Sequence, residues 1–249
     1  MLMKINRLSQ VYASILIDAL YQMKNYPITL ASNVIAPFSV LVLILLVSHG
    51  ELLSISIEGA LITSMISGGV NLQIDLSHMK NDFRLQDMLV SSPTNAFTYM
   101  LGMAMSALTN SLPALAVLTA LSILFIRTSP IGALTVLAVF SLIFAFSVAL
   151  GFMLSTFSTD IQQNRAFVSI LTVILATIAP IYYPITYIPL QIRFLAYLSP
   201  ATYAAEIAQN AIGVLPLSAS NLTINWIVLI AISCVLFAIV VKKSHWRDP

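Results

Sequence analysis

The chain carries very little charge. Only 8% of its 249 residues are Asp, Glu, Lys or Arg, against about 25% in an average soluble domain. It has one cysteine, Cys234, and three histidines. Each shortage excludes something. A water-soluble fold with so little polar surface cannot cover itself. One cysteine rules out an intrachain disulfide, and Cys234, inside an apolar run, is expected to be a small buried residue. A net charge of +2 leaves no nucleic-acid footprint. No Gly-Lys pair occurs, so the chain cannot cradle ATP in a P-loop. H-E-x-x-H, C-x-x-C and G-x-S-x-G are missing too. His49 and His78 fall in loops and His245 in the tail; a membrane metalloenzyme or Ser-His protease would want histidine at membrane depth. No cleavable signal is expected, because Lys4, Arg7, Asp18 and Lys24 break up any compact apolar core near the N-terminus.

What is plentiful is apolar sequence: 59% of residues, with a mean hydropathy of +0.96. The bilayer is the expected solvent. Six stretches are long and apolar enough to cross roughly 30 Å of hydrocarbon at about 1.5 Å per residue. They lie near 28–48, 56–75, 96–126, 131–156, 166–183 and 222–241. Pro37 and Pro113 fall inside the first and third. Neighbouring helices can satisfy a freed carbonyl, so kinks are expected there, not stops.

Charge sets the orientation. With the N-terminus in the cytoplasm, the inner segments hold Lys4, Arg7, Lys24, Lys80, Arg84, Arg165, Lys242, Lys243 and Arg247, and the outer ones only Arg127 and Arg193. That is a strong positive-inside bias, and an even number of spans puts both termini inside. Glu51 and Glu58 are then outer acids. Ahead of the first span, Ile5, Leu8, Tyr12, Ile15, Leu16, Ala19, Leu20 and Met23 share one helical face. This period predicts an amphipathic helix in the inner interface, ended by Pro27. No repeat or linker divides the chain. A single domain fills 1–249: interface helix 1–26, spans 27–243, cytoplasmic tail 244–249.

Two polar stretches stand out. The inner loop between spans two and three is charged at Asp75, Lys80, Asp82, Arg84 and Asp87, and stops at Ser91-Ser92-Pro93. Met79, Phe83, Gln86 and Val90 sit at helical spacing. The plain reading is a solvated loop helix with a proline stop. After the fifth span the chain reads Tyr183-Pro184, Pro189, Tyr197, Ser199-Pro200, Thr202-Tyr203 and Glu206. Pro184 and Pro189 prevent a continuous helix, and Ser199 before Pro200 is placed to cap a new one. Such a segment at the outer mouth is a gate or a structural lid. Glu206 would bind a cation, pair with Arg193 or favour a helix N-terminus.

This ordered set resembles the type-two ABC exporter permeases over essentially the whole chain. Asp82-Phe-Arg84 and Met88-Leu-Val-Ser-Ser-Pro93 are similar to that family's second loop, departing at Leu85-Gln86 where Gly-Thr is usual. The resemblance implies an all-α membrane fold with six transmembrane helices, an N-terminal interface helix and a short re-entrant outer segment. It implies a coupling helix that docks on a separate nucleotide-binding subunit, with Phe83, Met88 and Leu89 as anchors and Asp82, Arg84 and Asp87 as charges. ATP and Mg would sit on that subunit, and no cofactor on this chain. A second permease copy or paralogue would complete the complex. Tyr183, Pro184, Pro189, Tyr203 and Glu206 would form the outer gate. In that family the first, second and fifth spans meet the partner and line the pathway, which makes Asn33, Asn71 and Thr177 candidate lining residues. Small residues such as Ser67, Gly68 and Gly69 more often mark close helix packing.

The expected role is a cell-membrane permease that exports an amphipathic cargo (drug, lipid or glycan) by alternating access. The rivals are an ion-coupled carrier and a non-transporting scaffold. No Asp, Lys or Arg stands mid-span, which disfavours the carrier.

Overall fold

The computed structural model describes residues 7–81, 96–157 and 161–243, and among these every regular element is helical. The N-terminal segment is α1 (Arg7–Ser14), a π-helical turn (Ile15–Leu20) and α2 (Tyr21–Asn25). Then come α3 (Pro27–Val47), α4 (Leu53–Asn81), α5 (Ala96–Phe125), α6 (Pro130–Phe157) and α7 (Ile161–Ile178). After an irregular stretch follow α8 (Arg193–Ala196), α9 (Pro200–Ala211) and α10 (Ala219–Lys243). Pro37 and Pro113 lie inside continuous helices, as expected where neighbours cover the break.

Helix α4 is the hub. It packs against α3, α5, α6, α7 and α9, and 67% of its apolar window is buried, against 22% in both α5 and α10. Its sequence explains this. Gly59, Gly68 and Gly69 present almost no side-chain volume, so other backbones come close. A Cβ on Gly69 would meet the Ser147 Cβ of α6 at 2.5 Å and the Val148 nitrogen at 2.7 Å. One on Gly151 would meet the Gly69 carbonyl oxygen at 2.6 Å. Gly68 is packed against the Ser111 hydroxyl of α5 in the same way. In a bilayer, close backbone packing of this kind replaces the hydrophobic drive that water would supply. Ile57, Leu61, Ile62, Ile66 and Val70 of α4 join Leu118, Ile143, Ile207 and Leu229 in one buried core.

The outside of the bundle is apolar. Ile123, Leu124, Ile131, Leu134 and Leu137 are all more than 60% exposed, which suits lipid and not water. Among the described residues, four helices hold stretches long and apolar enough to cross a membrane: Leu53–Leu76, Thr98–Phe125, Pro130–Ser155 and Ala219–Lys242. At the expected first and fifth spans, α3 and α7 carry apolar stretches over Ala31–Val47 and Arg165–Leu175 among the described residues.

Three expectations need correcting or qualifying. Cys234 is exposed on α10, because its neighbour Ser233 takes the inward face. Glu58 is no solvent-facing acid; it lies within α4 and is 2% exposed. The face expected to be the apolar side of the N-terminal segment buries Ala19 but leaves Tyr12, Leu16 and Leu20 exposed. That segment lies along α5, where Gly102 makes room for Ser14.

Candidate functional site

The most constrained part of the molecule is the stretch between α7 and α10. α7 ends at Ile178, and Ile181 N–H turns back to the Ala179 carbonyl at 2.8 Å. Pro184 is extended, and a short 3-10 turn follows over Ile185–Tyr187. The Pro189 carbonyl accepts from both Ile192 and Arg193 N–H at 3.1 Å. Each proline removes a donor that a continuous helix would need. Arg193 turns its guanidinium onto the carbonyls of Ile188 and Thr186, at 3.1 and 3.5 Å.

Ser199 then starts α9. It is extended, and its hydroxyl accepts from Ala201 N–H at 3.3 Å, with Pro200 in the first turn. Ser199→Ala is expected to lower thermal stability by about 1 kcal/mol through loss of this cap, with Ser199→Asn restoring most of it; detergent-phase melting curves measure both. α9 stops at Gly213, whose φ of +79° suits a residue without Cβ.

α9 is a buried half-length helix: nine of its residues, from Pro200 to Gln209, are buried. Two polar side chains one turn apart tie it to two different neighbours. Gln209 donates to the carbonyls of Pro180 at 3.1 Å and Tyr183 at 3.4 Å. Glu206, 3% exposed, accepts from the Tyr197 hydroxyl at 3.0 Å and from Asn225 Nδ2 of α10 at 2.6 Å. Burial pushes the Tyr197 phenol up to about 12, and the neighbouring Glu206 adds to the rise, so the phenol remains a donor at neutral pH. Tyr203 donates to the Tyr197 carbonyl at 3.0 Å, and the Thr202 hydroxyl donates to the Ala196 carbonyl. Gly59 of α4 admits the Ile181 carbonyl, and Gly132 of α6 admits that of Ala211.

The structure therefore brings Tyr203 and Glu206 together through Tyr197, while Gln209 holds the Tyr183 carbonyl and Pro184 and Pro189 shape the path between. Glu206 does not pair with Arg193 and is not at the start of its helix. Its partners are Tyr197 and Asn225. Gln209 and Asn225 were missed from sequence. Gln209 lies three residues after Glu206, on the same face, and Asn225 is an amide inside an apolar span; both signals were legible.

Other candidates are scattered. Asn33 is exposed on α3 and Asn71 half-buried on α4. Thr177 lies in α7, and its side chain is outside the description. Asp82, Phe83, Arg84, Asp87, Met88 and Leu89 lie outside the described residues. Among the described residues, no group of three or more His, Cys, Asp or Glu side chains is placed to hold a metal.

The family model of the ABC-2 type transporter matches residues 10–212. The chain belongs to that family. The match runs from the N-terminal segment through α9, so it takes in the whole broken stretch. A comparison with curated proteins finds no match. As an ABC-2 membrane domain the chain is a permease component of an ABC transporter, not its ATPase. Membership also settles a rivalry that the charges had left to a weak argument. No Asp, Lys or Arg stands mid-span, but Glu58 is a buried acid near the start of α4, so the ion-coupled carrier is disfavoured chiefly by family membership.

Proposed function

We propose that this permease exports an amphipathic cargo such as a drug, lipid or glycan, driven by a separate nucleotide-binding subunit that holds ATP and Mg. The chain works as a single domain over 1–249, beside a second permease copy or paralogue. It crosses the cell membrane six times, with both termini in the cytoplasm. α7 supplies one of the two shorter crossings: its 18 residues span about 27 Å at 1.5 Å per residue, close to the hydrocarbon thickness.

The observation that carries this reading is α9. A buried half-helix, fastened to the end of α7 by Gln209 and to α10 by Glu206, closes one end of the bundle. The positive-inside rule puts that end outside. A closed outer mouth is the resting side of an exporter. Tyr183, Pro184, Pro189, Tyr203 and Glu206 form the gate, and Asn33, Asn71 and Thr177 line the path beneath it. At the other end, the loop after α4 couples to the ATPase. Phe83, Met88 and Leu89 enter its groove, and Asp82, Arg84 and Asp87 set the register.

Affinity capture of tagged protein from mild detergent tests the coupling. Wild type should bring down a P-loop ATPase, and Phe83→Asp should lose at least nine-tenths of it while eluting at the same volume in size exclusion. If wild type captures no ATPase, or the variant captures as much, the coupling assignment falls.

A further inference from the structure

Glu58 belongs to none of the machinery above. It sits in α4, five residues from the helix start, beneath the outer segment: a Cβ on its neighbour Gly59 would lie 2.7 Å from the Ile181 carbonyl oxygen and 2.9 Å from the Tyr182 ring. One carboxyl oxygen, Oε1, accepts from the Ser122 hydroxyl of α5 at 3.0 Å. The other, Oε2, is buried with no hydrogen-bond partner among the described residues.

The helices packed on α4 offer no compensating cation at this level. α3 and α6 carry no ionisable side chain at all. In α5 there is only Tyr99, and in α7 only Arg165, each near the opposite end. α9 brings Tyr203 and Glu206, and Glu206 is already held by Tyr197 and Asn225. The Tyr182 phenol follows α7. Asp75, His78 and Lys80 stand at the far end of α4, about 25 Å or more along the helix. His49 and Glu51 are exposed in the turn before α4 and Arg127 beyond α5, and Arg193 is turned onto the Ile188 carbonyl. A lone carboxylate in such a place, with one hydroxyl donor, carries a large desolvation cost that the neutral acid avoids.

We propose that Glu58 is a proton-binding site under the outer gate. The acid holds its proton while the segment from Pro180 to Ala211 is packed down. It releases the proton outward, leaving a carboxylate, when that segment lifts and water reaches it. External acid then favours the closed mouth. The lifting step rests on the gate reading; the protonated acid does not.

Infrared spectroscopy of the full chain in phosphatidylcholine vesicles, with deuterium exchange on the same samples, tests both. At neutral pH a protonated-carboxyl carbonyl band should be present. It should vanish in Glu58→Gln, persist in Glu51→Gln, which removes an exposed acid outside the gate, and shift in Ser122→Ala, which keeps the acid and removes its donor. On raising external pH the band should decline together with faster exchange over residues 180–211, and Glu58→Gln should lose that pH response. Absence of the band, or one that neither Glu58→Gln nor Ser122→Ala alters, overturns the proton site. A band that titrates without any change in exchange overturns the link to the gate. Failure to capture an ATPase would leave these spectra unaffected, so the two readings fail separately.

Discussion

Gly69→Val is expected to cost the protein most of its folded population. A Cβ at this position already falls 2.5 Å from the Ser147 Cβ and 2.7 Å from the Val148 nitrogen. The second is backbone and cannot rotate away. Relief requires α4 and α6 to separate, which also opens the contact between Gly151 and the Gly69 carbonyl on the same seam. Overpacking of a tight core typically costs about 1–3 kcal/mol, occasionally more, and a rigid helix seam belongs at the upper end. With total stabilities of about 5–15 kcal/mol, a large drop in monodisperse protein after detergent extraction should follow. Leu134→Val, on the exposed face of α6, serves as the control and should extract like wild type. Equal yields and melting points for Gly69→Val and wild type would show that the α4–α6 packing is wrong.

The second large effect is expected at Asn225. Asn225→Leu leaves the Glu206 Oε2 without its 2.6 Å donor in a place where Glu206 is almost wholly buried. Losing one partner of a buried polar pair costs about 1–3 kcal/mol, more when the orphan is charged. The effect should be local as well as global, because Glu206 joins α9 to α10. Deuterium uptake in Pro200–Ala211 should rise several-fold, while α4 stays protected. Glu206→Leu with Asn225→Leu should be less damaging than the sum of the two single changes, by about 0.5–3 kcal/mol of coupling. Strict additivity in that cycle would mean that the two side chains do not act as a pair. Tyr197→Phe should be milder, since Glu206 keeps its Asn225 donor.

How much of this was readable beforehand depends on distance along the chain. The apolar stretches expected at 56–75, 96–126, 131–156 and 222–241 match the long apolar helices within a few residues, because long uninterrupted apolar runs have no competing solution in a membrane. The prolines at 184 and 189 and the Ser199-Pro200 cap are local chemistry, and the segment they shape is where the sequence puts it. The role of α4 as hub was half visible: Gly68 and Gly69 announce close packing, but a helix apolar on every side does not say which neighbours it meets. The acids were misread for one physical reason. Glu58 takes its one donor from α5, and that partner, Ser122, is 64 residues away. Glu206 is 19 residues from Asn225, and nothing near Glu206 reveals that an amide will face it. Proximity in sequence made Arg193 the obvious partner, yet its guanidinium is occupied by backbone carbonyls instead.

The exposed thiol on α10 has a practical side. Cys234 is the chain's one cysteine, and it lies on the outer face of the bundle. A maleimide or nitroxide reagent partitioning into the bilayer therefore finds a single address on the native molecule, with no background cysteines to remove. Where the second permease is a copy of this chain, the pair carries two such probes and no others. One dipolar distance measurement on the labelled native sequence would then report how the two copies are arranged, and whether that spacing alters when nucleotide is added.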